Sequence, residues 1–576
     1  MNKLSCIWTM AAGLFVWIGG ENGALAQTLP PAPLPPISRH SLKPPSSDTK
    51  QLSAAAQRFS QPLAAASGPS PWRPLTRQPP FNSGAMLLLT DGTLMVHDQG
   101  AKNNGSSNWW RLTPDINGSY LNGTWSKLAP LPAGYAPLYF ACAVLADGRV
   151  IIEGGEYNNG LESFTNLGAI YDPVTNKWTP VPPPKGEEWS MIGAAASTVL
   201  AIDGAFMIGG VFTNEQALFH PADLSWFVPL KDKGNGKADI NSEETWTLLP
   251  NTDVLTVDAN NTDPLMNSEL YLPPDGSWIS GGSTKVNLPD IDEKGGGTHE
   301  MGPQLLRPDG TVFAAGATGH TAIFTPGGVG EAGSWTPGPD FPKSGGVQYG
   351  ISDGSAALLP SGKVLLTASP GVNHLPPTHF FVFDGKALQP VIDTPNAAKL
   401  SSYYGYMIVL PTGQVMFNSR LGDIELYTDT GPIAPNAAPV IAAPEAASRS
   451  LISHTRAFPP DCLSVPTTLV AGTTYCLPGR QLNGLSQAAS YAEGYQSATN
   501  YPLVRIERMV NAKTKHVFYA RTSGHSGMAV TPNENSFTYF TVPAGIETGA
   551  ATLYAVANGI ASNPVSVNVA ISARKK

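Results

Sequence analysis

The sequence predicts an all-β protein, namely a seven-bladed β-propeller closed by an N-terminal strand and followed by an immunoglobulin-like β-sandwich. Three observations lead there: a repeated hairpin phrase, a tryptophan strand left over at the start, and a β-rich C-terminal region that does not repeat. The 576 residues include 59 glycines and 54 prolines, and only 14% are charged. Such a composition favours short strands joined by turns over helices.

The repeated phrase is typified by QLLRPDGTVFAAG at Gln304–Gly316. Two apolar runs on either side of a Pro-Asp-Gly turn are typical of a β-hairpin. Copies recur at intervals of roughly 50–60 residues, a period that indicates a propeller. The seven copies begin at Met86, Ala143, Thr198, Thr247, Gln304, Ala357 and Ile408.

A third and a fourth strand follow each hairpin, and the fourth usually carries a tryptophan. These tryptophans are Trp125, Trp178, Trp226, Trp278 and Trp335. The sixth repeat has Leu388 in place of tryptophan, and the seventh ends after its third strand, Ile424–Tyr427. The seventh repeat thus lacks a tryptophan-containing fourth strand, and a segment of that kind, WRPL, begins at Trp72 before the first repeat. We therefore expect the N-terminal strand to complete the last blade, because closure removes exposed strand edges.

The N-terminus predicts export. Lys3 precedes an apolar run, Ile7–Ile18, and Ala24-Leu25-Ala26 supplies a cleavage signal. These features predict a signal peptide over residues 1–26, with release to the periplasm or the medium. The alternative, a membrane anchor, needs a longer apolar run, and no other stretch predicts an integral membrane segment. Residues 27–69, rich in Pro and Ser, predict an extended leader.

Composition and patterning place the remaining boundaries. We expect the propeller over residues 70–430, a Pro/Ala-rich linker over 431–466 and the early-set sandwich over 467–576. In an oxidising compartment Cys462 and Cys476 either pair or stay free, and the sequence leaves both open. The net charge of −8 gives no reason to expect nucleic acid or an anionic membrane as partner.

Topology predicts which face of the propeller carries function. If the first strand of each blade is innermost, the Asp-Gly turns lie on one face of the propeller. The starts of the first strands lie on the opposite face, together with the loops between second and third strands. Longer loops such as Pro370–His379 surround that second face. The candidate ligand-binding residues there are Tyr139, Trp189, Glu243, His299, Glu300 and Asp353. Converging aromatic and polar groups favour a glycan or another extracytoplasmic ligand, whereas simple hydration of a channel is the alternative.

His299 allows two further interpretations. With Glu243 or Asp353 it is a candidate pair for a divalent metal, because imidazole and carboxylate suit several metals. With Glu300, Glu243 or Asp353 it is a candidate acid–base pair of a hydrolase or lyase.

The repeat unit resembles a kelch repeat, with Gly154-Gly155 and Gly209-Gly210 after second strands and a tryptophan in the fourth. A kelch propeller followed by a sandwich resembles galactose oxidase and the glyoxal oxidases, which are copper-radical oxidoreductases. It is more similar still to bacterial exported kelch proteins with a galactose-oxidase-type early-set domain. The resemblance covers about Trp72 to Val569 and implies copper and oxidation of alcohols, aldehydes or sugars.

The resemblance also implies a ligand set of two tyrosines and two histidines, with one tyrosine cross-linked to a cysteine. Tyr403 falls on one family tyrosine, and Tyr404 stands where a histidine is expected. Cys142 lies close to the cysteine position, but Trp189 begins the next blade without a tyrosine. Tyr403, Tyr404 and Cys142 are therefore the candidate catalytic residues.

The second histidine of such a site comes from a hairpin of the sandwich that reaches into the channel. His516 is the candidate copper ligand beside Tyr403, a different register places Tyr519 there, and His525 lies on the same segment. Because the set is incomplete, we expect an exported binding protein with a degenerate copper-radical site. The alternative is a copper oxidase with an altered ligand set.

Overall fold

The computed structural model describes residues 68–229, 236–242, 244–261, 267–273, 275–291, 296–372, 374–441, 458–488, 494 and 496–571. The predicted signal peptide, almost all of the predicted leader and the candidate residue Glu243 lie outside the described residues. Strands form the regular structure, with three short 3-10 helices at Glu187–Ser190, Ala397–Lys399 and Ser402–Tyr404. Across the described ranges, no helix has the length and apolar character needed to cross a membrane.

Seven antiparallel sheets form the blades of the propeller; six have four strands, and that of blade 6 has six. Blade 1 contains Ser83–Leu88, Leu94–Asp98, Trp109–Thr113 and Thr124–Lys127. Blade 2 contains Ala141–Val144, Val150–Glu153, Gly168–Asp172 and Lys177–Val181. Blade 3 contains Ser197–Val199, Phe206–Gly209, Gln216–His220 and Ser225–Phe227. Blade 4 contains Thr247–Leu248, Val254–Val257, Ser268–Leu272 and Ser277–Ser280. Blade 5 contains Gln304–Leu306, Val312–Ala315, Thr321–Thr325 and Ser334–Pro337.

Blades 6 and 7 complete the ring. Blade 6 contains Ala356–Leu358, Val364–Pro370, His379–Phe383 and Leu388–Val391. Blade 7 contains Tyr406–Val409, Val415–Asn418, Ile424–Tyr427 and Trp72–Pro74. Two short strands, Lys343–Ser344 and Val347–Gly350, extend blade 6. A small separate sheet joins Pro137–Leu138, Tyr157–Asn158 and Leu161–Glu162.

The N-terminal strand closes the propeller, as predicted. Trp72 pairs with Tyr427 and Pro74 with Glu425, so the first strand of the chain is the outer strand of blade 7. The Trp72 indole is 5% exposed, and its Nε1 donates to the Ile392 carbonyl after blade 6 at 2.7 Å.

Other fourth-strand tryptophans repeat this contact with the preceding blade. Trp178 donates to the carbonyl of Ala129 at 3.0 Å, and Trp226 donates to the carbonyl of Pro182 at 2.8 Å. A single side chain in these repeats thus packs an apolar ring and satisfies a polar group between blades.

The C-terminal domain is an immunoglobulin-like sandwich. Its strands are Val440–Ile441, Thr468–Val470, Thr474–Arg480, Leu503–Met509, Lys515–Ser523, Asn535–Thr541, Gly549–Ala557, Ile560–Ala561 and Val565–Ala570. Lys515–Ser523 links the two halves, because its first part pairs with Leu503–Met509 and its last three residues pair with Asn535–Thr541. Cys462 and Cys476 form a disulfide beside this core, which decides the alternative that the sequence left open.

This domain covers the face of the propeller that carries the Asp-Gly turns. The hydroxyl of Tyr501 donates to Leu88 in blade 1, and the Met528 amide donates to the Ala201 carbonyl in blade 3 at 2.9 Å. On blade 6, the Leu358 amide donates to the Ala488 carbonyl at 2.6 Å. Contacts distributed around the ring leave the opposite face of the propeller as the one that presents its loops.

Candidate functional site

Residues from blades 2 and 7 meet on the face opposite the sandwich. Tyr139 precedes the first strand of blade 2, and Tyr403 and Tyr404 precede that of blade 7. Arg420 lies in the loop between the second and third strands of blade 7. Antiparallel strands put these two kinds of segment at the same end of every blade, so closure of the ring brings them together.

A guanidinium surrounded by phenol rings is the centre of this group. The Arg420 Cζ lies 4.9 Å from the ring centre of Tyr403 and 5.5 Å from those of Tyr139 and Tyr404. Its Nη2 donates to the Tyr139 hydroxyl at 3.0 Å. The hydroxyls of Tyr139 and Tyr403 are hydrogen-bonded to each other. Arg420 is 3% exposed, so the aromatic faces partly replace its hydration.

Polar side chains of blades 1 and 7 hold this arginine in place. The Arg420 Nε donates to Gln99 Oε1 at 3.1 Å, and Gln99 Nε2 donates to the Tyr406 hydroxyl at 3.0 Å. The Arg420 amide donates to Asn418 Oδ1 at 3.0 Å, and Asn418 Nδ2 donates to the Gly84 carbonyl at 2.8 Å. The arginine is therefore fixed to two blades rather than mobile in the mouth.

A second group of titratable residues adjoins the tyrosines. One ligand atom each from Glu300, Asp353 and His374 lies within 4.8 Å of the others. His374 Nε2 is 3.4 Å from Asp353 Oδ2, and the His374 ring centre is 4.9 Å from that of Tyr403. Glu300 is 5% exposed and Asp353 6%. The contact between His374 and Tyr403 joins the two groups, and we call them together the mouth cluster: Tyr139, Glu300, Asp353, His374, Tyr403, Tyr404 and Arg420.

Four members of the mouth cluster have left-handed backbone conformations, which residues with side chains rarely adopt. Their φ angles are 56° for Tyr139, 47° for Asp353, 50° for His374 and 62° for Arg420. Such conformations cost free energy and concentrate at functional sites, because the surrounding structure must impose them. Their clustering supports a functional role for this mouth.

The sandwich sends a segment into the propeller axis, but not the segment that the sequence suggested. It follows strand Thr474–Arg480 and contacts the inner strands of several blades. Gln487 Oε1 accepts from the Leu248 amide at 2.8 Å, and Ser497 Oγ donates to the Met407 carbonyl at 2.7 Å. The Cys142 Sγ donates to the Gln496 carbonyl at 3.6 Å.

His516 lies elsewhere. Its Nδ1 is 2.7 Å from Glu547 Oε1, and the next amide, of Val517, donates to the Ile116 carbonyl at 2.8 Å in an outer turn of blade 1. The prediction of His516 as a channel ligand is corrected for a topological reason. The hairpin at 511–515 lies at the rim, and the longer connection before Leu503 enters the axis.

Two more predicted residues stand apart from the mouth cluster. Trp189 is 1% exposed and packs beside Gly210, so its ring belongs to the core and offers a ligand no surface. His299 has its Nδ1 2.8 Å from Asn260 Oδ1, and the grouping of ligand atoms that contains Asp353 includes His374 instead. The predicted pairing of His299 with Asp353 is not part of that grouping, and its pairing with Glu243, which lies outside the described residues, stays a prediction.

The residues present do not fit a copper-radical centre. Burial raises the pKa of the Cys142 thiol to about 12, and the segment that begins the next blade has Trp189 but no tyrosine. Burial also raises the pKa of Tyr404, against the opposing charge of Arg420. A neutral phenol is a poor replacement for imidazole on copper.

The arginine adds an electrostatic objection. A dication bound to Tyr403 would lie close to the guanidinium, and their repulsion is on the order of 5 kcal/mol at an effective dielectric constant of about 20. The cation already held among the tyrosines therefore disfavours a second cation at Tyr403.

Sequence reasoning missed Arg420, His374, Gln99 and Tyr406. One signal was available for Arg420: blade 7 has Asn418-Ser419-Arg420 after its second strand, where blades 2 and 3 have small Gly-Gly pairs. His374 lies in the loop Pro370–His379, whose length is visible in the sequence but does not indicate which of its residues faces the mouth.

Comparison with known proteins agrees with the repeat pattern. No model of a known protein family matches the sequence. It is 37% identical over 98 residues to the Kelch-like protein terF of Aspergillus terreus, a match that covers 16% of this chain and 20% of that protein. The fold is a kelch-like β-propeller. The chain spans only about a fifth of the length of the curated relative that it matches.

Solved structures similar to this chain include enzymes of different chemistry. A fungal alcohol oxidase in complex with copper has a TM-score of 0.45 and 15% identity, over 88% of this chain and 100% of that chain. A catalytically inactive virginiamycin B lyase from Staphylococcus aureus has a TM-score of 0.40 and 10% identity, over 62% and 98%. Likenesses at this level assign no activity to the chain.

Proposed function

We propose that this protein is an exported binding protein whose mouth cluster holds a glycan or a related polyhydroxylated ligand, and that its copper-radical site is degenerate. The observation that carries the proposal is the guanidinium of Arg420 among phenol rings. It supports a preformed aromatic surface and disfavours a bound copper ion at the same place.

The chemistry of the accessible rings suits a sugar. Tyr403 and Tyr404 are half-buried, so part of each side chain remains accessible. Aromatic faces pack against the C–H faces of a pyranose, while hydroxyl, imidazole and carboxylate groups hydrogen-bond its hydroxyls. Small-molecule sites commonly combine such an apolar wall with a few fixed polar groups. The fixed position of Arg420 lowers the entropic cost of binding.

A glycan array followed by calorimetric titration of the best ligand tests this proposal. We expect saturable binding by the wild-type protein and at least about tenfold weaker binding by Tyr403→Ala, which removes a wall of the site and about 1.4 kcal/mol or more of binding free energy. Tyr554→Ala is the matched control, because Tyr554 packs over Arg505 at 4.9 Å in the sandwich. It should bind like the wild type.

Two results would reject the proposal. One is the absence of binding across a broad array, and the other is equal affinity in Tyr403→Ala and the wild type. Oxygen consumption with alcohols or aldehydes by copper-loaded protein, together with a tyrosyl radical signal, would establish the oxidase alternative instead.

A further inference from the structure

We propose that Glu300, Asp353 and His374 form a binding site for one divalent transition-metal ion, Zn²⁺ or Mn²⁺, beside the tyrosines of the mouth cluster. The inference goes beyond the proposed glycan binding, and it is tested with the metal alone. Three loops from two blades supply the ligands: Glu300 precedes blade 5, Asp353 precedes the first strand of blade 6, and His374 follows its second strand.

The spacing of the histidine and the aspartate is the first argument. Three other histidine–carboxylate pairs in the described part of the chain are direct contacts, at 2.8 Å for His320–Asp340 and 2.7 Å for His379–Asp393 and His516–Glu547. His374 and Asp353 stay 3.4 Å apart. Ligands about 2.0–2.1 Å from a tetrahedral zinc are about 3.4 Å from each other. A separation of 3.4 Å therefore fits two ligands that share an ion.

The hydrogen bonding between the loops is the second argument. The Asp353 amide donates to the Met301 carbonyl at 3.1 Å, which ties the Asp353 loop to the residue after Glu300. Ser352 Oγ lies 3.4 Å from the same Nε2 of His374. A backbone hydrogen bond thus joins the Glu300 and Asp353 loops before any ion binds, and a side-chain contact joins the His374 loop to them.

The donor set and its exposure define the kind of ion. One imidazole and two carboxylates suit Zn²⁺ or Mn²⁺ better than Mg²⁺ or Ca²⁺, which prefer oxygen alone. Three protein ligands leave at least one coordination position for water or for a hydroxyl of a bound ligand. The His374 side chain is 12% exposed and that of Asp353 is 9% exposed, so an ion has a route from the mouth.

Metal binding to the full mature chain, stripped with chelator, tests this inference without any organic ligand. We expect one Zn²⁺ or Mn²⁺ per chain by titration calorimetry and by elemental analysis, and a rise in Tm on adding the metal. His374→Gln and Asp353→Asn should each weaken binding at least about tenfold. His379→Gln is the matched control, because it disrupts a His–Asp pair of the same blade outside the cluster.

The outcomes are separable. Absence of saturable uptake by the wild type overturns the metal site, and so does wild-type affinity in both His374→Gln and Asp353→Asn. Circular dichroism and the metal-free Tm of each variant show whether it is folded, and Glu300→Gln supplies a third test should one variant fail to fold. Loss of metal binding with intact glycan binding, or the reverse, distinguishes this inference from the proposed function.

Discussion

Arg420 illustrates how single residues define this site. A buried guanidinium is costly unless its donors are satisfied and its charge is stabilised. Gln99 and Tyr139 accept two of its hydrogen bonds, and the ring of Tyr403 stabilises its charge. The contacts that offset the desolvation cost of the buried arginine also hold the tyrosines in place. The mouth is therefore organised before a ligand binds.

A buried histidine predicts acid sensitivity at the residue scale. Burial lowers the pKa of His525 to about 4, against the opposing effect of Asp147. The unfolded chain, with a histidine pKa of about 6.5, takes up the proton first as pH falls. Stability is therefore fully present above about pH 6.5 and decreases toward pH 4, by about 3 kcal/mol.

The measurement is urea unfolding at pH 7 and at pH 4.5. Because carboxyl groups titrate over the same range, the quantity of interest is the difference between the wild type and His525→Gln, which should lose less stability on acidification. His320→Gln, at a half-exposed histidine, should behave like the wild type. Equal pH dependence in the wild type and His525→Gln would contradict the prediction.

At the element scale, the N-terminal strand determines whether the ring is closed. Trp72–Pro74 is only three residues long, so its backbone pairing contributes little by itself. The Trp72 ring lies 4.7 Å from that of Phe380 in blade 6 and 5.0 Å from that of Tyr427 in blade 7. Burial of this indole between two blades therefore joins the first and last elements of the ring.

Trp72→Ala should lower the free energy of unfolding by about 3–5 kcal/mol, because it leaves a large cavity at the closing contact. Trp226→Ala is the matched control. Trp226 makes the equivalent hydrogen bond to the preceding blade, but its strand is partly exposed and follows the other strands of blade 3 directly in the chain. Urea unfolding and limited proteolysis near residue 72 measure the effect. Equal losses in the two variants would show that closure has no special dependence on Trp72.

At the scale of the whole molecule, the loops of the propeller carry the candidate site and the sandwich supports it from the opposite face. The sandwich covers the Asp-Gly turns and fills the axis, so it supports the site without lining its outer surface. Gly92 and Gly310 occupy equivalent turns with φ angles of 74° and 85°. A methyl group at Gly92 would overlap the Tyr519 ring of the sandwich, whereas at Gly310 it would meet no atom within 4 Å.

This pair of glycines predicts the contribution of the interface. Gly310→Ala should cost about 1–2 kcal/mol, the cost of a left-handed alanine. Gly92→Ala should cost about 1–3 kcal/mol more, because it also displaces a packed ring. Differential scanning calorimetry of both variants measures the difference. Equal Tm losses would argue against tight packing of the sandwich on blade 1.

The sequence by itself determined the propeller, because strand pairing within a blade is local. Each Asp-Gly turn joins two runs that pair with one another, and the unpaired Trp72 phrase matches the incomplete seventh repeat. It also determined which face carries the loops, since that follows from strand direction alone. Tyr139, Tyr403 and Tyr404 were found in this way.

Only the tertiary structure decided which loop residues meet. Arg420 is 281 residues from Tyr139 along the chain, and His374 reaches Glu300 and Asp353 only when blades 5 and 6 stand side by side. Loops have no periodicity from which side-chain direction follows. Likewise, the choice of the connection before Leu503 over the hairpin of His516 depends on how the sandwich docks. The physical reason is the same in each case: contacts across a closed ring depend on its geometry and not on local sequence.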